Sequence, residues 1–457
     1  MGTIEADYVV VGAGAAGMAF TDALVGHADV RVAMVDRRHA PGGHWLEAYP
    51  FVRLHQASAF YGVASTLLGS GTVQERGPER GLHERATAPE ICAYFGRVME
   101  ERLLPSGKVT FLPGCEWRSG EVVSRVSGER YDVAGHPRVV DAEYLAPEIP
   151  AETPPPFVVD DDAHAVPVND LVRVEDAPSQ YVVVGAGKTA TDACVWLLRQ
   201  GVDPGAIVWV RPREPWMLDR AVIQPDPAVF LGAAADIMET ASTAQSVDAL
   251  FLGLEERGVL LRIDPARTPT MAKTPTLGRW ELELLRSIEN VVRLGHVRAV
   301  ERGRLRLTDG DVVVAEDALV VHCAASGLRY PPLLPIWGAG TITLQPVRAG
   351  FPCFGAALVG FAEAVVATDE EKNGLCPPTP LPDGPQDWLA MQVLGSRAAA
   401  AFTSSPELRA WADTVALNPA RAPDDATDRD AYGAARERLA AHMGPGLERM
   451  AALAGVA

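Results

Sequence analysis

Two segments of the chain carry glycines at the spacing that lets a backbone approach a phosphate. They are residues 8–17, YVVVGAGAAG, and residues 181–190, YVVVGAGKTA. The first glycine permits a tight turn, the second admits a pyrophosphate, and a small third residue lets the following helix pack on the strand. Each turn follows an apolar run typical of a buried parallel strand and precedes an alanine-rich run typical of a helix. The sequence therefore predicts two dinucleotide sites.

The residues that end the strand after each turn distinguish the two sites. Asp36 follows the strand-like residues 32–35, at about the ~20-residue spacing at which a carboxylate binds an adenosine ribose. This pattern suits FAD or NAD. Arg211 and Arg213 follow residues 207–210 and no acid stands there, which favours a 2′-phosphate through charge-assisted contacts. We therefore expect NADPH as the second nucleotide.

The candidate cofactor-binding residues come from the two turns and the two strand ends. For the first nucleotide they are Gly12, Gly14, Ala15, Gly17, Asp36 and Arg37. For the second nucleotide they are Gly185, Gly187, Lys188, Thr189, Arg211 and Arg213. Lys188 is expected to reach a phosphate of NADPH, and a solvated lysine at a helix start is the alternative.

Composition and charge describe an ordinary globular protein. The 457 residues are 48% hydrophobic and 22% charged, which allows two or three domains with large cores. The net charge of −18 is spread along the chain without a basic block, so neither nucleic acid nor an anionic membrane is expected as a partner. The first predicted strand begins too close to Met1 for a signal peptide, and no apolar run reaches the ~18 residues of a membrane span. We expect a cytoplasmic protein and leave a homodimer open.

The cysteines are expected to be reduced and mainly structural. The sequence has six of them, without a Cys-x-x-Cys pair and without a Cys and His cluster of the zinc type, so no metal is expected. Flavoproteins with two dinucleotide sites often pass electrons to adjacent thiols. No closely spaced pair is present for that purpose, and a pair brought together by folding stays open.

A proline-rich stretch over residues 146–156 predicts a stiff, extended connection. The predicted fold class is α/β, with two Rossmann-like, doubly wound domains, a discontinuous FAD domain and a helical C-terminal segment. The expected boundaries are 1–165 for the first part of the FAD-binding domain, 166–305 for the NADPH-binding domain, 306–370 for the return to the FAD-binding domain, and 371–457 for a Pro-rich segment and C-terminal helices. A helical insertion is expected at 227–257, and hairpin strands are expected to bracket Asp309 and Gly310.

Residues 41–45, PGGHW, show the Gly-Gly-x-Trp pattern that follows the second strand in flavin-containing and Baeyer–Villiger monooxygenases. Together with the glycine turns, this pattern makes the chain resemble the class B flavoprotein monooxygenases. The resemblance implies that Gly43 bends the chain around the flavin's pyrophosphate and ribityl arm and that Trp45 covers the cofactor; a core tryptophan is the alternative. Ser326 and Gly327 resemble the family's Ala-Thr-Gly segment and are further cofactor-binding candidates.

Residues 54–61, LHQASAFY, stand where flavin-containing monooxygenases carry an Asn beside the isoalloxazine. The comparable amide here is Gln56. The resemblance implies that Gln56 donates a hydrogen bond near the flavin or the nicotinamide, with its neighbour His55 as the second catalytic candidate. Loop residues satisfied by backbone or water are the alternative.

The resemblance implies an FAD-dependent, NADPH-consuming monooxygenase that oxidises a small organic substrate with O2 through a C4a-peroxyflavin. The family fingerprint Phe-x-Gly-x-x-x-His is incomplete, because Phe157 and His164 are present while Asp162 and Ala163 disturb the pattern between them. This departure puts Baeyer–Villiger activity and standard heteroatom oxidation in doubt. The alternatives are an NADPH-dependent flavoprotein reductase or dehydrogenase without oxygenation and, from another class, a noncatalytic nucleotide-binding redox sensor.

Overall fold

The computed structural model describes residues 2–325, 327, 329–348, 350–421 and 429–456, so the candidate Ser326 lies outside the described residues. The strands of the first half are β1 (Gly2–Glu5), β2 (Tyr8–Val11), β3 (Val32–Asp36), β4 (Gly62–Val63), β5 (Thr66–Leu67), β6 (Val109–Pro113), β7 (Cys115–Arg118), β8 (Glu121–Ser124), β9 (Arg130–Ala134), β10 (Arg138–Asp141), β11 (Val158–Val159) and β12 (His164–Pro167). Those of the second half are β13 (Tyr181–Val184), β14 (Ile207–Val210), β15 (Trp216–Asp219), β16 (Leu260–Arg262), β17 (Thr276–Leu277), β18 (Val291–Val292), β19 (Val297–Glu301), β20 (Arg304–Leu307), β21 (Gly310–Val313), β22 (Leu319–His322), β23 (Trp337–Gly338) and β24 (Thr341–Thr343).

Helices connect and cover these strands. They are α1 (Ala15–His27), α2 (Ala88–Arg97), α3 (Lys188–Arg199), α4 (Pro227–Thr243), α5 (Val247–Glu256), α6 (Arg279–Arg286), α7 (Pro352–Val365), α8 (Asp369–Leu375), α9 (Pro385–Ser404), α10 (Pro406–Thr414) and α11 (Arg429–Ala454). The helical insertion expected at 227–257 is thus the pair α4 and α5. No helix in the described ranges is long and apolar enough to cross a membrane.

Two largely parallel sheets form the centre of the protein. The first has the strand order β23-β24-β10-β2-β3-β6, and the second has the order β12-β22-β13-β14-β18. In the first sheet β3 lies on one side of β2 while β10 lies on the other, and in the second sheet β14 and β22 flank β13 in the same way. The strand order therefore reverses beside each glycine turn, which is where ligands bind in open α/β sheets.

The apolar runs before the turns form central strands because both of their faces are covered. Val9 and Val10 are inaccessible to solvent, as are Val182 and Val183 in the second sheet. Such burial on both faces is characteristic of parallel strands and explains why these runs do not alternate with polar residues. Helix α7 packs against α1 with its backbone close to that of Phe20.

The two Rossmann-like units share more than their glycine turns. Each contains a small second sheet, ordered β1-β9-β8-β7 in the first unit and β11-β19-β20-β21 in the second. The hairpin expected around Asp309 and Gly310 is the antiparallel pair β20 and β21. The succession of strands therefore repeats in both units, but β1 pairs with β9, the last strand of its meander, whereas β11 pairs with β19, the first of its own.

The chain returns to the first sheet near its C-terminal third. Strand β24 pairs in parallel with β10, with Ile342 opposite Val140. Together with the helices after residue 384, this arrangement confirms the expected fold class, two Rossmann-like units of which the first is discontinuous, followed by a helical segment. His164 is an exposed residue at the start of the edge strand β12.

Candidate active site

At the first glycine turn, the backbone of the turn itself, the start of α1 and the loop with Gly43 lie close together. Gly12 has φ of +103°, and a side chain at Gly17 would collide with the carbonyl oxygen of Gly12. A Cβ at Gly14 would lie 3.5 Å from the Cα of Gly43, in ordinary contact. Helix α1 then begins at Ala15 without a side-chain cap. The first N–H groups of this helix are therefore available to an anion.

Asp36 lies directly behind this turn. Its carboxylate accepts a hydrogen bond from Ala13 N at 2.6 Å and another from Arg38 N at 2.8 Å. Asp36 thus fixes the turn against the end of β3. Arg37 points to the edge of the unit, where its guanidinium donates to Glu152 at 2.8 Å.

Glu143 was missed by the sequence reasoning and lies in the crevice beside the first turn. It follows β10, and its Cγ lies 2.9 Å from the position that a Cβ on Gly12 would take. Burial raises the pKa of Glu143, and the nearby carboxylate of Asp36 raises it further. In the described part of the chain it has no ion-pair partner. Only its place after β10, beside the reversal of strand order, could have revealed it.

The second glycine turn is more open. Gly185 has φ of +143° and packs against the carbonyl oxygen of Cys323. A Cβ at Gly187 would meet nothing within 4 Å. Helix α3 begins at Lys188 without a side-chain cap, and Thr189 in its first turn is half-buried. This helix N-terminus also fits an anionic ligand.

The structure corrects the expectation for Lys188. The residue is only 7% exposed, so it is not a solvated lysine. Its ammonium forms ion pairs with Asp192, four residues along α3, and with Glu281 at 3.3 Å. Lys188 can reach a phosphate only by leaving these two carboxylates.

The two arginines after β14 occupy different environments. Arg211 is 2% exposed; its guanidinium carbon lies 4.5 Å from the centre of the Trp209 ring and its Nε lies 3.0 Å from Glu214. In this conformation Arg211 is part of the packed interior, contrary to the expectation of a phosphate ligand. The Arg213 side chain is 34% exposed and donates to Asp383 at 2.7 Å. Arg213 is therefore the one of the two that a ligand can reach.

Gly43 lies against the first glycine turn, whereas Trp45 is buried in the core. Gly43 has φ of +61°, and a Cβ there would lie 2.9 Å from the Cα of Gly14, so the Gly-Gly-x-Trp loop lies against the first turn. Trp45 is buried in the core, and its Nε1 donates to the Tyr61 hydroxyl at 2.6 Å. Trp45 packs in the hydrophobic core of the first unit. Gly327 has φ of +70°, and its carbonyl oxygen accepts from Glu148 N at 2.9 Å.

The loop with His55 and Gln56 lies where the two units meet. The backbone carbonyl of His55 accepts hydrogen bonds from Arg220 Nε at 3.0 Å and from the Thr276 hydroxyl. His55 is an exposed residue, and protein atoms crowd its imidazole. Burial lowers its pKa, as do the charges of Lys188 and Arg220, to about 3, so the imidazole is neutral at ordinary pH. The half-buried Gln56 amide has no hydrogen-bond partner among the described residues.

A buried charge network holds this loop. Arg220 pairs with Glu79 of the first unit and, through Nη2 at 2.7 Å, with Glu281 of the second. Arg85 Nε donates to Glu79 at 3.0 Å. Glu281 also forms an ion pair with Lys188 at the second glycine turn. Apart from Lys188 in the second glycine turn, these residues belong to no motif, and the pairs between the two units are far apart in sequence. The network connects the second turn to the loop of the first unit.

The six cysteines are free thiols, and all except the partly buried Cys92 are buried. Burial raises the pKa of Cys194 and of Cys323, which keeps these thiols protonated. Within the described ranges, no cluster of His, Cys, Asp and Glu side chains could hold a metal ion.

Comparisons with known proteins establish the family and the fold. Residues 10–62 match the model of the NAD(P)-binding Rossmann-like domain. The chain is 42% identical over 419 residues to the uncharacterized protein Rv2000 of Mycobacterium tuberculosis strain H37Rv, covering 91% of this chain and 78% of the relative. The same identity and coverage hold for the uncharacterized protein Mb2023 of Mycobacterium bovis. The chain belongs to the family of these mycobacterial proteins.

Solved monooxygenase structures share its fold. The polycyclic ketone monooxygenase of the thermophilic fungus Thermothelomyces thermophila matches with a TM-score of 0.51 and 13% identity, over 98% of this chain and 90% of that one. Cyclohexanone monooxygenase with bound ε-caprolactone matches with a TM-score of 0.50 and 16% identity, over 88% of this chain and 99% of that one. The fold implied by the resemblance to class B flavoprotein monooxygenases is confirmed.

Proposed function

We propose that this chain is an FAD-dependent, NADPH-consuming monooxygenase that oxidises a small organic substrate with O2. The observation that carries the proposal is the pair of open glycine turns at the carboxyl ends of two central parallel strands. Two uncapped helices begin at these turns, and the polar loop of His55 and Gln56 lies where the two units meet. Two nucleotides bound to one chain can exchange hydride without a metal.

The first turn fits FAD. The backbones of Gly12, Gly14 and Gly43 pack closely without side chains in the way, and the N-terminus of α1 offers its N–H groups to a pyrophosphate. Asp36 would bind the adenosine ribose after exchanging one of its backbone partners. When bound, the flavin supplies hydride acceptance and oxygen activation, while the chain supplies position and electrostatics.

The second turn fits NADPH. Gly187 has free space around it, α3 begins without a side-chain cap, and Arg213 lies partly exposed after β14. In the proposed complex, Arg213 leaves Asp383 for the 2′-phosphate, because a dianionic phosphate is the stronger partner for a guanidinium. Lys188 stays in the buried network and acts on the loop of the first unit rather than on the phosphate.

Gln56 and His55 are the proposed catalytic polar residues. The amide of Gln56 is free to hydrogen-bond to the reacting groups, since no described residue occupies it. His55 is neutral, so one ring nitrogen donates a hydrogen bond and the other accepts one, without adding a charge to the cleft. The network around Arg220 fixes the loop so that these side chains keep their positions.

A pair of glycine substitutions tests the proposal. Gly14→Ala and Gly187→Ala are both compatible with the described packing, because their new Cβ atoms meet nothing closer than 3.5 Å. We expect Gly14→Ala to lose FAD while NADPH still binds the protein, and Gly187→Ala to keep FAD while NADPH no longer reduces it. Flavin absorbance per chain and calorimetric titration with NADPH measure the two effects.

Oxygen stoichiometry separates the proposed activity from its rivals. A monooxygenase incorporates one oxygen atom into product for each NADPH oxidised with its substrate. A reductase forms product without O2, and a redox sensor binds the nucleotides without turnover. Product formed anaerobically, or two bound nucleotides with no NADPH oxidation, would overturn the monooxygenase proposal.

A further inference from the structure

Arg348 is an enclosed cation at the carboxyl edge of the first sheet. It lies between β24 and α7, on the side of the sheet where the first glycine turn and Glu143 also lie, because β2, β10 and β24 are parallel. Its backbone carbonyl accepts a hydrogen bond from Phe351 N at 3.1 Å, one residue before α7 begins. The residue is half-buried, and protein atoms surround its guanidinium. We call the space between this guanidinium and the neighbouring rings the cleft.

Arg348 differs from the other enclosed cations in having no partner. Arg220 and Lys372 each lie within 2.7 Å of a carboxylate, and Lys188 pairs with two. Among the described residues, Arg348 has no carboxylate within 4 Å and donates no hydrogen bond. Burial lowers its pKa to about 10, which still leaves it charged at neutral pH. An unpaired enclosed charge is costly, and a bound anion would remove that cost.

The surroundings of Arg348 are aromatic. Its guanidinium carbon lies 5.9 Å from the centre of the Phe230 ring, which comes from α4 of the second unit. Phe351 contacts Phe230 edge to face at 5.9 Å and Phe60 at 5.1 Å. Phe60 ends the short helical turn that begins two residues after Gln56. This aromatic wall therefore connects Arg348 to the loop of the catalytic candidates.

A single planar guanidinium among rings selects for one type of ligand. A carboxylate matches its paired donors, and an aromatic body attached to that carboxylate would pack on the phenylalanines. A phosphate is more strongly hydrated and would need further donors, which this wall of rings does not supply. The cleft therefore favours an apolar acid over a phosphorylated compound.

We propose that Arg348 is a specificity-determining residue that binds the carboxylate of an aromatic organic acid, whose ring packs against Phe230 and Phe351. The inference rests on the proposed function, because it takes this cleft as the substrate site of a flavin enzyme. It narrows the substrate from a small organic molecule to an aromatic carboxylic acid.

Matched ligand pairs test the proposal on the FAD-loaded enzyme. The probes are benzoate, phenylacetate and cinnamate, each compared with its neutral amide by calorimetry and by perturbation of flavin absorbance. We expect at least one acid to bind the wild-type protein ten times or more tighter than its amide. Arg348→Gln should abolish this preference, and Arg348→Lys should retain part of it. Arg329→Gln, at an exposed arginine, is the control and should leave the preference unchanged.

Two results would overturn the inference. One is equal binding of acid and amide in all three pairs by the wild-type enzyme. The other is an acid preference that survives in Arg348→Gln. If the flavin midpoint potential changes in that variant at the same time, the cation is assigned to the flavin ring instead. Calorimetry also works on protein without flavin, so a failure to bind FAD would contradict the proposed function while Arg348 is still tested.

Discussion

The guanidinium of Arg220 donates from Nε to the backbone carbonyl oxygen of His55 at 3.0 Å. Arg220 belongs to the second unit and His55 to the first, so this hydrogen bond, like that from the Thr276 hydroxyl, joins the two units at the candidate active site. The same guanidinium pairs with Glu79 and Glu281. The position of the catalytic loop therefore depends on a charge in the other unit.

Removing Arg220 should destabilise the protein strongly. Arg220→Ala removes the cation that Glu79 and Glu281 share in a buried site and leaves them with Arg85 and Lys188 alone. Breaking a buried pair in this way costs about 3–5 kcal/mol. Urea unfolding measures the change. Arg304→Ala, which removes an exposed ion pair at 3.6 Å, should change stability by less than about 1 kcal/mol. Equal effects of the two substitutions would contradict the structural role of the network.

The network should also make the fold acid-sensitive. Burial by itself raises the pKa of Glu281, but Lys188, Arg220 and Arg85 outweigh it and lower the pKa from 4.5 to about 2. Because the native pKa is depressed, this stabilisation is present above pH 4.5 and is lost as the pH falls towards 2. The loss amounts to about 3 kcal/mol. Unfolding free energies of the wild type and Glu281→Gln, measured from pH 6 to pH 3, should converge as the pH falls, and a constant difference would refute this assignment.

Arg213 should determine the preference for NADPH. Arg213→Ala should raise the Michaelis constant for NADPH about ten- to a hundredfold, since it removes a charge-assisted phosphate contact of about 1.5–3 kcal/mol. The constant for NADH should remain nearly unchanged. Arg298→Ala, at an exposed residue of β19, is the control. Equal weakening of both coenzymes would exclude a role for Arg213 at the 2′-phosphate.

Gln56 should control how efficiently NADPH oxidation is coupled to product. Gln56→Leu should keep FAD bound and keep its reduction by NADPH, because neither needs the free amide. Coupling should fall about tenfold, with the electrons lost to hydrogen peroxide, which corresponds to about 1.4 kcal/mol between competing barriers. Product and peroxide are measured side by side, with the exposed Gln245→Leu as the control. Unchanged coupling would place Gln56 outside the reacting centre.

Glu143 should make flavin binding depend on pH. Its pKa is raised by burial and by Asp36, and its carboxyl group lies over the first turn. As the pH rises through that pKa, the new negative charge should repel the pyrophosphate and weaken FAD binding. Glu143→Gln should bind FAD more tightly at high pH and lose this dependence. A fluorescence titration with FAD measures the affinity at each pH. The same pH dependence of the affinity in the wild type and in Glu143→Gln would contradict the prediction.

Local patterns made the two nucleotide units predictable. A glycine turn, the strand before it and the helix after it lie within about twenty residues, so their chemistry is readable without tertiary structure. The environments of Arg211 and Arg213 were not predictable, because burial of Arg211 depends on Glu214 and on the Trp209 ring packed beside it. In the sequence, both arginines stand where a residue that binds a 2′-phosphate is expected, at the end of the strand after the second glycine turn.

The charge network was not predictable for a different reason. Glu79 and Arg220 are 141 residues apart, and they meet only because the two units pack together. Arg348 is likewise an ordinary arginine in sequence. Its distinguishing property is the lack of a partner in the described structure, which no local pattern encodes.

Stopped-flow mixing of the NADPH-reduced protein with O2 tests the central claim most directly. A monooxygenase must hold activated oxygen on its flavin until substrate reacts. We therefore predict an oxygen-dependent transient whose absorbance spectrum differs from those of reduced and oxidised FAD. This transient should decay faster in Gln56→Leu. A single-step return to oxidised FAD, with one hydrogen peroxide released per flavin in the wild type and the variant alike, would contradict the monooxygenase assignment.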